Sequence, residues 1–394
     1  MTRKQPPARR AASRAHSRTA RSSRRAHAGQ SAAHQKHQGK EAMTAYFVCA
    51  TSAVRAKYGS AAAGIVADVA ALGSVIDVSG QSPEQIQAKI AALPAGAACL
   101  VGGYDLIPPF IRPNPTHGSQ DDDAEIPTDA PYGATPGHPE EEYAPERAIS
   151  RIPDSATADA AEFSALLGYQ RAAPTQTTPP GSYEEAADEF SGALQYVHAA
   201  IPGAHGPSLL SPPAKSTDPG ITKNLSGHGR IHILLHGANY DPDWAALWGH
   251  GPGANAPFVK ALTAQIFDRC DFEGTIVTFS SCYAAMLDAA PAKHGARNSG
   301  NQVAVACLAH GAKVTFGATR SNWISTTSPY DGFGPRLAAE VWRQLARRQP
   351  AAEALRLAKA AYLKVALSQS PGDRPYALKT VLQAQCYGHP MAKL

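Results

Sequence analysis

The sequence predicts an α/β protein, with parallel sheets flanked by helices, laid out as two tandem α/β subdomains behind a disordered basic tail. Three observations predict it. Short apolar runs alternate with segments of helical period over residues 45–103 and again over 231–365. A Pro/Thr-rich stretch, "AAPTQTTPPGS", separates the two series and reads as a linker at 173–182, with subdomains at 43–172 and 183–394. Residues 1–42 hold eleven Lys or Arg and one acidic residue, and lack the large apolar side chains that would offset the entropy of ordering. At 394 residues the chain is long enough for two cores.

The elements follow in order. "AYFVCA" reads as a strand, "KYGSAAAGIVADVAALG" as a helix closed by Gly73, and "SVIDVS" as a second strand, a β-α-β unit. Ser82 with Gln85 three residues on is a capping-box pattern opening the helix "QIQAKIAAL". "AACLVGG" is a buried strand that opens into the loop "YDLIPPF". From Arg112 to Glu146 the composition turns to Pro, Gly, Asp and Glu, and a long solvated surface loop is expected. Its Asp121, Asp122, Asp123 and Glu125 could hold calcium, but they lack the EF-hand spacing and Gly. "RAISRIP" and the helix "TADAAEFSALLGYQR" close the first half. The second half is read as a helix around Tyr183–Ala199, the strand "IHILLHG", the helix "FVKALTAQIF" and the strand "TIVTFSSC". A helix from Asn301 capped at Gly311, the strand "AKVTFGAT" and two C-terminal helices complete it.

Beyond the tail the charge reverses, with 26 basic against 31 acidic residues from Met43 onward. The tail could bind nucleic acid or an anionic surface by neutralising phosphates. It could equally be a solvated or vector-derived extension, or lie upstream of the true start at Met43, since no aromatic residues interleave the charge. "MTAYFVCATSAVRA" fits a first strand as well as a signal-peptide core, so a cytoplasmic location is expected with secretion as the alternative. No stretch has the ~18 apolar residues of a transmembrane helix. Six separated cysteines without CxxC or zinc spacing imply neither a disulfide framework nor a metal site, and no cofactor motif is present.

Two apolar strands each deliver a reactive side chain at the carboxyl end, His236 after "ILL" and Cys282 after "TIVTFSS". Ligands bind beyond the carboxyl ends of strands in open α/β sheets, so two such residues on neighbouring parallel strands can meet. An imidazole that takes the thiol proton and returns it to a leaving amine makes Cys282 a nucleophile. The backbone N–H groups of Gly237 and Cys282 could hold the carbonyl oxyanion. His250-Gly251 lies in a loop without a preceding strand, and His310-Gly311 looks like a helix end with its Gly cap.

The second half resembles the clan of cysteine peptidases that includes caspases, legumains, clostripain and the gingipains. "ACLVGGYDLIPP", "IPTDAPYG" and "ERAISRIPDSATADAAEF" followed by "GYQR" resemble the gingipain family in particular. The resemblance covers most of residues 45–365 and implies a caspase-like fold, Cys282 as nucleophile, His236 as general base and acid, and Gly237 as oxyanion donor. "FGATRSNWISTTSP" is similar to the segment whose Trp lines the pocket for the residue before the scissile bond, which implies that role for Trp323. "AAEALRLAKAAYLK" fits the family's closing helix, with Ala351, Leu355, Ala358 and Tyr362 as core. Many relatives have Ala before the catalytic Cys and Gly soon after it; here Ser281 precedes and "YAAM" follows.

A cysteine endopeptidase acting on a protein or peptide through a thioester acyl-enzyme is the reading that results. A catalytically inactive caspase-like binding or scaffold protein is the alternative. The papain-like motif around the Cys is missing and the His lies upstream; a serine hydrolase at Ser280 or Ser281 lacks the G-x-S-x-G elbow. By analogy with triads a carboxylate should orient His236, and Asp129, Asp241 and Asp243 are the candidates.

Overall fold

The structure is a computed structural model and describes residues 43–118, 121–154, 158–237, 246–253, 255–287, 303–369 and 371–394. The basic tail, Asp241 and Asp243 lie outside the described residues.

The chain begins with β1 (Ala45–Cys49), α1 (Thr51–Tyr58), α2 (Ala62–Ala70), β2 (Ser74–Asp77), α3 (Pro83–Ala91) and β3 (Ala97–Val101). The capping box opens α3: the Gln85 N–H donates to Ser82 Oγ at 3.4 Å and the Ser82 N–H to Gln85 Oε1 at 2.9 Å. All five residues of β3 are buried, as its uninterrupted apolar run requires of a strand covered on both faces. Next come β4 (Phe110–Pro113) and β5 (Glu125–Thr128), an antiparallel pair, then β6 (Ile149–Ile152) and α4 (Ala160–Ala172), whose first turn is capped by Asp159.

The second half runs through β7 (Ser182–Ala187), α5 (Ser191–His198), β8 (Ser208–Ser211), α6 (Ile221–Leu225), β9 (Arg230–Leu234), β10 (His236–Gly237), β11 (Leu247–His250), β12 (Phe258–Leu262) and α7 (Ala264–Phe267). It ends with β13 (Ile276–Phe279), α8 (Val303–Ala309), β14 (Val314–Ala318), α9 (Phe333–Ala346), α10 (Ala351–Gln369), α11 (Arg374–Gln383) and β15 (Ala384–Gly388).

Ten strands form one sheet in the order β2-β1-β3-β6-β15-β14-β13-β9-β7-β8. Pairing is parallel throughout except between β14 and β15, so the strands on either side of that junction run in opposite directions. Helices cover both faces. Neighbouring residues of β13 show this: Val277 belongs to the core under α4 and α8, Ile276 to the core under α9, α10 and α11. Ala351, Leu355, Ala358 and Tyr362 of α10 all lie in that second core, as their helical spacing predicts.

Four readings of local structure need correction. The expected helix at Tyr183–Ala199 is a buried strand, a short 3₁₀ turn at Asp188–Phe190 and then α5; Glu184 and Glu185 concealed the strand because acidic residues disfavour one. "FVKALTAQIF" is not a crossover helix. Its first five residues are β12, which joins β10 and β11 in a small antiparallel sheet, and only Ala264–Phe267 is helical. The C-terminus adds α11 and β15, the strand that bridges the two halves of the large sheet.

The acidic segment after Arg112 is the fourth. Asp121 is buried and accepts from buried Lys379 of α11, from Thr116 Oγ1 at 2.5 Å and from Ser321 Oγ at 3.0 Å. Burial alone would raise its carboxyl, but these donors hold it below the usual carboxylate range. The segment is pinned to the second half of the chain because its charge has a buried partner.

Candidate active site

The site stands at the carboxyl ends of three adjacent strands, β13, β9 and β7. The β13–β9 register runs from Ile276↔Arg230 to Phe279↔Ile233, and beyond its end the two chains stay in contact, Leu235 with Ser281 and Gly237 with the Cys282 carbonyl, which brings the segment of His236 alongside that of Cys282. On the other side β9 pairs with β7 up to Ala186↔Leu234, so the turn after β7 brings Glu189 to the same level. Parallel register therefore gathers a thiol, an imidazole and a carboxylate at one edge.

Backbone contacts tighten the meeting of the first two. A Cβ added to Gly237 would fall 1.9 Å from the Cys282 carbonyl oxygen, so only glycine permits this approach. Ser281 supplies a bond the strands no longer make, its Oγ accepting the Leu235 N–H at 3.2 Å, which gives the residue before Cys282 a structural task. Tyr283 follows with φ +57°, a left-handed conformation uncommon for a bulky residue, which turns the chain directly after the cysteine.

Cys282 is half-buried, and its Sγ accepts the Asn322 N–H at 3.1 Å while facing the Asn322 carbonyl at 3.6 Å. Burial pushes its thiol above the ordinary value; the N–H groups of Asn322 and Gly237 oppose that rise. His236 is lowered, chiefly by burial, with the Glu189 carboxylate opposing and His250 adding to the fall. Each shift favours the neutral form of its own group at rest.

The carboxylate that orients His236 is Glu189, with Oε1 2.6 Å from His236 Nε2. Asp129 is not that group: it forms a two-pronged pair with the fully buried Arg151 guanidinium at 2.6 and 2.8 Å, which neutralises a charge inside the sheet. His250 is not in an isolated loop but in β11, buried, with Nδ1 3.0 Å from the same Glu189 oxygen. The His236 ring lies between Phe190 and Phe258, at centroid distances of 4.7 and 5.2 Å. His310 ends α8 beside Gly311, as expected of a helix cap.

Trp323 follows the residue that hydrogen-bonds the thiol. Its ring packs edge-on against Tyr376 at 5.0 Å and is partly exposed, while its carbonyl accepts the Gly334 N–H. Asp123 supports this segment by accepting from the Ser321 N–H at 3.0 Å and from the Tyr283 hydroxyl at 3.1 Å. Sequence reading missed Glu189 and Asn322; it named His250 and Asp123 but set the first in a loop and the second in a solvated acidic segment. Glu189 carried one usable signal, an acidic residue closing a run between two turn-forming segments, masked by the acidic residues before it.

No protein-family model and no curated protein matches the chain. Solved structures do. The crystal structure of the Arg-specific cysteine proteinase gingipain R superimposes with a TM-score of 0.58 at 12% identity, over 91% of this chain and 79% of that one. The complex of Porphyromonas gingivalis RgpB pro- and mature domains gives 0.55 at 11% identity, over 89% and 80%. The chain thus shares the caspase-like α/β fold of gingipain R.

Proposed function

We propose that the protein is a cysteine endopeptidase. The observation that carries this reading is the placement of Cys282, His236 and Glu189 at the ends of three adjacent parallel strands. Cys282 Sγ attacks the scissile carbonyl carbon as His236 takes its proton. The imidazolium so formed is stabilised by Glu189, and the oxyanion by the N–H groups of Gly237 and Cys282. Collapse breaks the C–N bond, His236 returns the proton to the amine, and a thioester remains. Water, deprotonated by His236, hydrolyses it. Trp323, beside Asn322, forms a wall for the residue before the cleaved bond.

Intact-mass measurement after brief treatment with iodoacetamide, or with a peptidyl acyloxymethyl ketone, tests the reading on the wild type, Cys282→Ala and His236→Ala. The expected result is one rapid adduct on the wild type, none on Cys282→Ala, and slow labelling of His236→Ala. If Cys282 in the folded protein reacts no faster than the buried Cys270 or Cys386, the crevice is a binding surface and the peptidase reading fails.

A further inference from the structure

A second cluster on β7 is independent of the candidate active site. Glu184 is fully buried, yet both carboxylate oxygens face imidazoles: Oε2 lies 2.8 Å from His198 Nδ1 and Oε1 3.3 Å from His205 Nδ1. The two rings stack with centroids 3.8 Å apart, and the three ligand atoms lie within 4.8 Å of one another. We propose that Glu184, His198 and His205 form a zinc-binding site.

The geometry fits that ion. Zinc bonds of about 2.0–2.1 Å in a tetrahedron place neighbouring ligand atoms about 3.3 Å apart. The observed separations of 2.8 and 3.3 Å run to different oxygens of Glu184, one to each imidazole, and the three ligand atoms stay within 4.8 Å of one another, so small side-chain rotations bring one carboxylate oxygen and both Nδ1 atoms onto a common ion. Two imidazoles and one carboxylate leave the fourth position to water. It opens to solvent, since the His198 and His205 side chains are 30% and 35% exposed while Glu184 is 1% exposed. To bind, each neutral ring carries its single proton on Nε2 and offers the Nδ1 lone pair.

Neighbouring elements hold the ligands in place. Ser182 Oγ donates to Glu184 Oε1 at 2.9 Å, an outer contact of the kind that orients a metal ligand. The Glu184 N–H bonds to the Pro207 carbonyl, anchoring the segment that bears His205, and His198 ends α5, where the helix dipole favours a cation. On the adjacent strand His232 is the register partner of Glu184; it is fully buried and its Nε2 has no hydrogen-bond partner among the described residues. Glu184 lies inside β7, three positions or about 10 Å before the strand ends at Ala187, and Glu189 lies beyond that end in the Asp188–Phe190 turn, so the two carboxylates serve different clusters. The ion would tie β7 to the connection between α5 and β8 and neutralise a carboxylate buried in the sheet.

The test uses the full-length chain after chelator treatment, titrated with Zn2+ by calorimetry and with Co2+ by visible d–d absorbance. The variants are His205→Ala, His198→Ala and His250→Ala. His205→Ala is the safest, because its ring is the most exposed of the three. The expected result is an equivalent of Zn2+ that raises the melting temperature, survives His250→Ala, and weakens by about 100-fold or more in His205→Ala and His198→Ala; losing only an outer-shell partner already costs about 10–100-fold. The histidines of residues 1–42 are common to all variants and cancel in this comparison. Unchanged stoichiometry and affinity in His205→Ala, or loss in His250→Ala alone, would overturn the assignment, the latter by placing the ion on Glu189, His236 and His250.

Discussion

Replacing Glu189 by Gln preserves the shape of the side chain and removes its charge. In the proposed reaction the charge matters because His236 would become an imidazolium in a setting that already disfavours one, its proton affinity being lowered chiefly by burial. Glu189 Oε1 lies 2.6 Å from His236 Nε2, and the two side chains are 25% and 30% exposed, so solvent screens the pair in part. An effective dielectric of about 20 with charge centres about 4 Å apart gives an interaction of about 4 kcal/mol. Allowing for screening, a loss of about 2–4 kcal/mol is expected. At 1.36 kcal/mol per tenfold that is a fall of roughly 30- to 900-fold in the second-order rate of Cys282 modification by a peptidyl acyloxymethyl ketone.

The pH profile separates this from simple misfolding. In the proposed reaction a neutral His236 is the base, so reactivity should fall on the acid side as the ring protonates. Without Glu189 the ring protonates less readily, so the acid limb of Glu189→Gln should move to lower pH while the plateau drops. A variant that melts like the wild type and reacts within about threefold of its rate, or whose acid limb moves upward, would refute the role of the carboxylate.

Three further outcomes are expected. Gly237→Ala should lower Cys282 alkylation by about 100-fold, because the new Cβ meets the Cys282 carbonyl at 1.9 Å and shifts the strand end; alkylation at the wild-type rate would contradict the close approach. Lys379→Met should cost about 3–5 kcal/mol in urea unfolding by stranding the buried Asp121 carboxylate, and Asp121→Asn in the same chain should recover a large part of it; equal losses in the single and double variants would show that the pair is not coupled. Stability should fall as pH drops from about 6.5 towards 4. His232 and His389 are buried and lowered to about 4, so the unfolded chain binds their protons first and each contributes a loss on the order of 3 kcal/mol across that window. Urea midpoints that stay level from pH 7 to 4.5 would exclude this.

Much of the fold was legible because parallel strands buried on both faces leave continuous apolar runs, as in "AACLV" and "TIVTF". His236 and Cys282 drew notice for the same reason, each standing just beyond the carboxyl end of such a run. What escaped was what tertiary partners make affordable. β7 reads "SYEEAA", and two carboxylates argue against a buried strand until Glu184 meets His198 and His205, and Glu185 meets the Tyr183 hydroxyl. With that strand hidden, Glu189 had no strand end to occupy, and Asp129, Asp241 and Asp243 stood as the candidates instead. The acidic segment escaped in the same way, since Lys379 lies 258 residues from Asp121.

The division of labour between the halves follows from one antiparallel pairing. Because β15 runs against β14, the strands of the first half point their carboxyl ends away from the edge where β13, β9 and β7 end. Those first-half strands therefore cannot bring a side chain to the crevice in the way β9 brings His236. Their contribution arrives through the segment between β4 and β5, where Asp121 and Asp123 reach across to Lys379, Ser321 and the Tyr283 hydroxyl. Tyr283 and Ser321 flank, in sequence, the two residues that share the thiol hydrogen bond, Cys282 and Asn322. The first half thus bears on the Cys282 thiol by fixing its neighbours, and an acidic segment that composition alone would assign to solvent becomes part of the support for that thiol.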